Sequence, residues 1–380
     1  MATMRKLLPA LLAVLPLPAQ EQRFVGPRPE PSSIVVHRNV AYRDTLQFDL
    51  YRPAGEAIVP VVVFANAGNP GMKDWPGYLG WGEAVAGAGL ASVHYNAQRE
   101  TAPADLAAIV KTLRERAAVY RIDPARVVIW CSSSNVTVGL PYAMDAKHAE
   151  VRGAVVYYGD APVEKIRLDV PLLYVRAGRD VPALNERIDA LVKRAMTENA
   201  PWSLINVAAG VHGFDAFDSD QIARDVVVQT LDFMKKVIAP EASRAYVVAA
   251  EEAGNAAAFA RGDWDAAVAG YTRRVAAKPD DAEGHRRLGL ALTAKKRYAE
   301  ALVSLEKAWE LGRRGPHDTG IPAAVAAAGA GNVARAVHWL DTILNTRFGG
   351  VPASYRTDPR FEKIRDDPAF IAVIEKHSRR

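Results

Sequence analysis

The chain has 380 residues, enough for two domains, with 49% hydrophobic and 24% charged residues and a net charge of +5, the balance of a folded globular protein. The positive excess contains no run of five basic residues, which argues against a nucleic-acid partner. The single cysteine, Cys131, excludes an internal disulfide framework and a multi-cysteine metal site. At the start, Arg5 and Lys6 precede an apolar run over 7–17, too short for the ~20 residues that span a bilayer. Pro18, Ala19 and Gln20 follow. That order reads as a signal peptide over 1–20, which sends the mature protein to the periplasm or outside. The competing reading is a frayed N-terminal helix of a cytosolic protein. No cysteine follows the run to take a lipid anchor, and no later segment is long and apolar enough to span a membrane.

Residues 21–31 are proline-rich and read as an N-terminal arm. Ile34–Val36 and Leu46–Tyr51 are β-formers on either side of a polar turn at Arg43 and Asp44, an antiparallel opening pair. Val59–Ala65 is a nearly continuous apolar run, as in a strand buried on both faces. A loop rich in Gly, Asn and Pro leads to a helix near Leu79–Gly89, a strand at Ala91–Tyr95 and a helix over Asp105–Val119. Arg126–Trp130 is the next strand. It ends in Cys131-Ser132-Ser133-Ser134-Asn135 and a helix to about Lys147. Strands at Val151–Tyr158, Leu172–Val175 and Trp202–Val207 follow, with helices at Ala183–Met196 and Phe217–Val237. This alternation predicts an α/β domain over 32–239, with a doubly wound, mostly parallel sheet.

The character changes at Pro240, and 240–380 reads as an all-α helical repeat domain. Trp264, Ala267 and Tyr271 recur thirty-four residues later as Tyr298, Ala301 and Leu305, and again thirty-five further on as Val333, Ala336 and Leu340. Turns between paired helices are then expected at Gly262-Asp263-Trp264, Lys296-Arg297-Tyr298 and Gly331-Asn332-Val333. A period of thirty-four residues is that of tetratricopeptide repeats, whose helix pairs must stack to bury their apolar faces. The alternative is an unrelated helical bundle.

The turn after Trp130 carries the chemistry. A strand that runs through a sharp turn into a helix can present a serine nucleophile, usually as Gly-x-Ser-x-Gly. Of three adjacent serines the middle one, Ser133, falls at the strand end. Its flanking positions hold Cys131 and Asn135 instead of glycine, and a serine-rich helix cap is the plainer reading of the turn. Asp180 follows the strand Leu172–Val175 and a Gly turn, where it can orient a histidine or simply cap the next helix. His212 lies between the last strand and the last helix of the domain, placed to act as general base on Ser133. An oxyanion hole needs the N–H of Ser134 and a second one from the loop Asn66-Ala67-Gly68-Asn69-Pro70, which Ala67 or Gly68 can present. Asn66, Asn69, Asn135 and Trp75 are the candidates for substrate contact. Trp75, Tyr78 and Trp81 can line a pocket or anchor the first helix on the sheet. Cys131 reads as a small buried residue, and His94 as a strand histidine with no apparent partner.

Residues 32–238 resemble the dienelactone hydrolase and small-esterase branch of the α/β-hydrolases. The matching pieces are Asp49-Leu50-Tyr51-Arg52-Pro53, VVVFANAG, IDPARVVIWCSSSN, PLLYVRAGRD and HGFD. The resemblance implies hydrolysis of ester and related acyl bonds without metal or organic cofactor, with Ser133, Asp180 and His212 on the family's triad positions. The chain departs from the family at Cys131, Asn135, Asn66 and Ala67; many relatives carry His-Gly-Gly where it has Asn-Ala-Gly. The short segment from Tyr158 to Pro171 leaves no room for a large lid, which suits small or polymer-end substrates. Two other readings stay open: a hydrolase-fold binding protein whose repeats recruit a protein or peptide, and a serine peptidase.

Overall fold

The computed structural model describes residues 24–217, 220–313, 315–346 and 348–379. The signal-peptide reading over 1–20 and the first residues of the arm lie outside them. The chain forms two compact units that divide between Val247 and Val248.

The first unit is built on eight strands: β1 (Ile34–Arg43), β2 (Leu46–Pro53), β3 (Val59–Phe64), β4 (Ala91–Tyr95), β5 (Ile122–Ser132), β6 (Val151–Tyr157), β7 (Leu172–Ala177) and β8 (Trp202–Val207). They lie in one sheet in the order β1-β2-β4-β3-β5-β6-β7-β8. β1 and β2 are antiparallel to each other, as is β2 to β4, and every other ladder is parallel. Parallel neighbours need crossovers. These are α1 (Pro76–Gly87) after β3, α2 (Ala102–Glu115) and α3 (Ala117–Tyr120) after β4, α4 (Val136–Met144) after β5 and α5 (Pro182–Thr197) after β7. α6 (Phe214–Phe217) and α7 (Gln221–Val237) follow β8.

The apolar runs split by parity, as the period-two pleat demands. Val61, Val63, Ile129 and Val156 face α2, α4 and α5 through Leu106, Leu140 and Ile188. Val62, Phe64, Val128, Trp130, Val155 and Tyr157 face α1 and α7 through Trp81, Val85, Val226, Val227 and Leu231. Both faces are therefore covered, and each buried aliphatic side chain stabilises the unit by about 1.5–3 kcal/mol. An eight-stranded, mostly parallel sheet with this order and two helical layers is the α/β-hydrolase fold.

The described part of the proline-rich segment is docked on this unit: Phe24 is buried and its ring lies 5.3 Å from that of Trp81. The opening pair extends further than expected. β1 continues through His37-Arg38-Asn39 with an irregularity between His37 and Val40 and with Asn39 at φ 53°. That kink lets Asp49, fully buried on β2, accept hydrogen bonds from Arg38 and from the Asn39 N–H. Buried Lys73 bonds Asn39 and lies 3.4 Å from Asp49, tying the loop after β3 to the opening pair.

In the second unit α8 (Pro240–Ala260), which crosses the division, is followed by α9 (Trp264–Ala277), α10 (Ala282–Ala294), α11 (Tyr298–Glu310), α12 (Ile321–Gly329), α13 (Val333–Leu344) and α14 (Pro368–Ser378). Short turns at 261–263, 295–297 and 330–332 separate α8 from α9, α10 from α11 and α12 from α13. The recurring Ala267, Ala301 and Ala336 are fully buried, and Tyr271, Leu305 and Leu340 lie in the same core. A small residue at that place lets neighbouring helices approach closely.

Candidate active site

The site assembles at the C-terminal ends of β5, β7 and β8. β5 runs to Ser132, and Ser133 then takes φ 51°, in the left-handed region. That conformation is uncommon for any residue with a side chain, and it turns the chain sharply from strand to helix. The position two before it needs little bulk, and Cys131 supplies more than a glycine would. Gly139 on α4 makes the room: a Cβ there would lie 2.7 Å from the Cys131 Cβ. Cys131 is fully buried and fills the core, and that burial pushes its thiol up.

Ser133 Oγ lies 2.7 Å from His212 Nε2, and His212 Nδ1 lies 2.6 Å from Asp180 Oδ2. The two loops that bring Asp180 and His212 together are stitched by backbone bonds, Gly178 N–H to Val207 O and Arg179 N–H to Gly210 O. Gly178 has to be glycine here, because a Cβ would sit 2.5 Å from the Ala208 carbonyl oxygen. Asp180 does not cap α5: Val181 occupies that place without a side-chain bond. The Asp180 carboxylate instead accepts from the Val181 N–H at 2.8 Å and from His212. Its side chain is 3% exposed against 44% for His212. A shielded acid, a half-open imidazole and a hydroxyl are thus aligned in one relay.

The loop after β3 is held from inside. Asn66 is fully buried. Its Oδ1 accepts the N–H groups of Gly68 (2.9 Å) and Asn69 (2.7 Å), and its Nδ2 donates to Tyr95 O. Asn66 therefore shapes the loop and faces no substrate. The Ala67 N–H donates to Asn135 Oδ1 at 2.9 Å. Both loop amides singled out from the sequence for an oxyanion, those of Ala67 and Gly68, are already engaged by side-chain acceptors. Asn69 Nδ2 also donates to Asn135 Oδ1, at 2.7 Å, and lies 3.4 Å from Ser134 Oγ. Asn135 Nδ2 in turn reaches Tyr78 Oη and Met72 Sδ.

A cavity of ≈ 260 Å³ opens beside Ser133, with Asn69, Ser134, Asn135 and His212 on its polar side. Trp75, Tyr78, Trp81, Trp130, Tyr158 and Phe217 form its walls. Trp75 is 37% exposed at the rim, whereas Trp81 is packed into the core and donates its indole N–H to Asp215. Asp215 is a site residue with no local sequence signal beyond its place in His-Gly-Phe-Asp. Burial pushes its carboxyl up, while hydrogen bonds from Tyr158 and Trp81 pull the other way. Among the described residues, no Lys or Arg lines the cavity. A second cavity of ≈ 180 Å³ meets Ser133 from the other side, between Thr137, Gly159, Asp160 and Leu184.

No family profile matches the chain, and no curated protein matches it. Among solved structures the chain is similar to a fungal esterase from Rhizomucor miehei, at 15% identity over 54% of this chain and 84% of that one, with a TM-score of 0.46. It is also similar to esterase 2 of Thermogutta terrifontis, at 15% identity over 56% and 98%, with a TM-score of 0.43. A truncated carbohydrate esterase from gut microbiota matches at 16% identity over 57% and 100%, with a TM-score of 0.44.

Proposed function

We propose that the first unit is a serine hydrolase that cleaves carboxylic esters through an acyl-enzyme. The observation that carries this reading is the Ser133–His212–Asp180 relay on a left-handed turn at the mouth of an aromatic cavity. Ser133 Oγ attacks the ester carbonyl carbon while its proton passes to His212 Nε2. Asp180 holds His212 in the tautomer that can accept that proton and stabilises the imidazolium. The C–O bond to the alcohol then breaks, and the alcohol leaves with the proton from His212. Water, deprotonated by His212, cleaves the Ser133 ester and restores the hydroxyl. A neutral substrate suits the cavity, whose wall carries Asp215 and, among the described residues, no Lys or Arg.

A fluorophosphonate probe tests the assignment. Labelling that maps to Ser133 and disappears in Ser133→Ala supports it; folded protein that takes no label removes it. The engaged amides of Ala67 and Gly68 favour a second reading, a hydrolase-fold binding protein, which the second outcome would leave standing. The same relay can cleave amides, so a paired ester and anilide panel separates esterase from peptidase. We read the second unit as tetratricopeptide-like repeats that present a surface to a protein or peptide partner. Residues 1–20 we read as an export signal, which N-terminal sequencing of the mature protein checks.

A further inference from the structure

An ester carbonyl attacked by Ser133 moves its π pair onto oxygen as the Oγ–C bond forms, and the resulting charge needs donors already in place. The N–H of Ser134 is one, since it meets no acceptor among the described residues. The loop after β3 has to supply the other. Its backbone offers none: Ala67 N–H is held by Asn135, and the N–H groups of Gly68 and Asn69 are held by Asn66.

The side chains of the same loop and turn fix one another in sequence. A backbone N–H can only donate, so the atom of Asn135 facing Ala67 must be its oxygen. That oxygen also faces the Asn69 amide, so the atom of Asn69 presented there must be its nitrogen. The orientation of both amides therefore follows from a single backbone donor. Asn135 is 3% exposed and bonded at both ends of its amide. Asn69 Nδ2 carries two hydrogens; one goes to Asn135 Oδ1. The other has only the long 3.4 Å contact to Ser134 Oγ, beside the nucleophile and on the cavity wall.

We infer that the side-chain amide of Asn69 replaces the loop's backbone N–H as the second oxyanion donor, with Asn135 as the positioning residue that clamps it. This rests on the serine-hydrolase reading above. It explains why asparagine can stand where the elbow has a glycine: it closes the usual backbone site and orients a substitute.

The test compares wild type, Asn69→Ala, Asn69→Asp and Ser133→Ala on p-nitrophenyl acetate, with a trifluoromethyl ketone as the transition-state mimic. Asn69→Ala is expected to lower kcat roughly 10²–10³-fold with little change in KM, the usual cost of removing one such donor. Asn69→Asp keeps the shape but loses the donor, and should fall at least as far. The ketone's inhibition constant should rise in parallel with the fall in kcat/KM, a correlation that a folding defect would not produce. Near-wild-type kcat in both Asn69 variants, or a fall in kcat without loss of ketone affinity, would overturn the inference. Unchanged activity in Ser133→Ala would instead remove the function on which it rests.

Discussion

Asp180 shows how much a single oxygen can decide. Its Oδ1 is held by the Val181 N–H, which leaves Oδ2 for His212. In Asp180→Asn the remaining oxygen keeps the Val181 bond, so the new NH₂ turns toward His212 Nδ1. The imidazole must then accept there and carry its proton on Nε2, facing Ser133 Oγ. It can no longer take the serine proton. A loss of about 10⁴ in kcat is expected, with the melting temperature little changed; steady-state kinetics and thermal unfolding of the purified variant check both. The order Ser133, Asp180, His212 was legible because each residue closes a strand and opens a loop. The clamp of Asn135 on Ala67 and the bond of Tyr158 to Asp215 span 68 and 57 positions of sequence. Neither leaves a local pattern, so only the fold reveals them.

Among the elements, β4 and β8 lie on the residues where the sequence puts them, and β3 ends one residue short of the expected run, at Phe64. Polar residues and breaks obscured the others. β1 carries a kink at Asn39, and the expected helix Phe217–Val237 is split, with Asp220 capping α7 through the Ala223 N–H. Capping also distinguishes the short turns of the second unit. Asp263 and Asn332 each accept a bond from the backbone N–H three residues on. Arg297, at the equivalent turn, has no side-chain cap, though its backbone at φ −84°, ψ 60° is close to that of Asn332 at φ −88°, ψ 81°. Arg297→Asn should therefore gain about 0.5–2 kcal/mol by bonding the Glu300 N–H. The exposed Arg297–Glu300 pair it removes contributes little. Urea unfolding followed by circular dichroism measures the balance, and a loss of stability would count against a shared turn geometry.

Over the whole molecule, stability depends on pH through His94. It is fully buried on β4, stacks on Phe64 at 4.2 Å, and neither ring nitrogen meets a protein partner among the described residues. Burial pushes its pKa down to about 3 from an ordinary 6.5. The unfolded chain therefore binds a proton that the folded chain refuses between those two values. Stability is lost as pH falls through that window, by up to about 1.4 kcal/mol per pH unit from this group. His94→Leu removes the titration. The difference in unfolding free energy between wild type and His94→Leu should widen in the variant's favour from pH 6.5 downward. A difference independent of pH would show that His94 is hydrated or paired in solution.

The position of Cys131 has a practical consequence. It is the chain's one thiol, fully buried in the strand that delivers Ser133 and packed against Gly139. A thiol reagent can reach it only when β5 and α4 separate. Where reclosing outpaces the reagent, the rate of modification then reads the population of that opening event. The protein thus carries its own reporter of local breathing beneath Ser133, needing no engineered label.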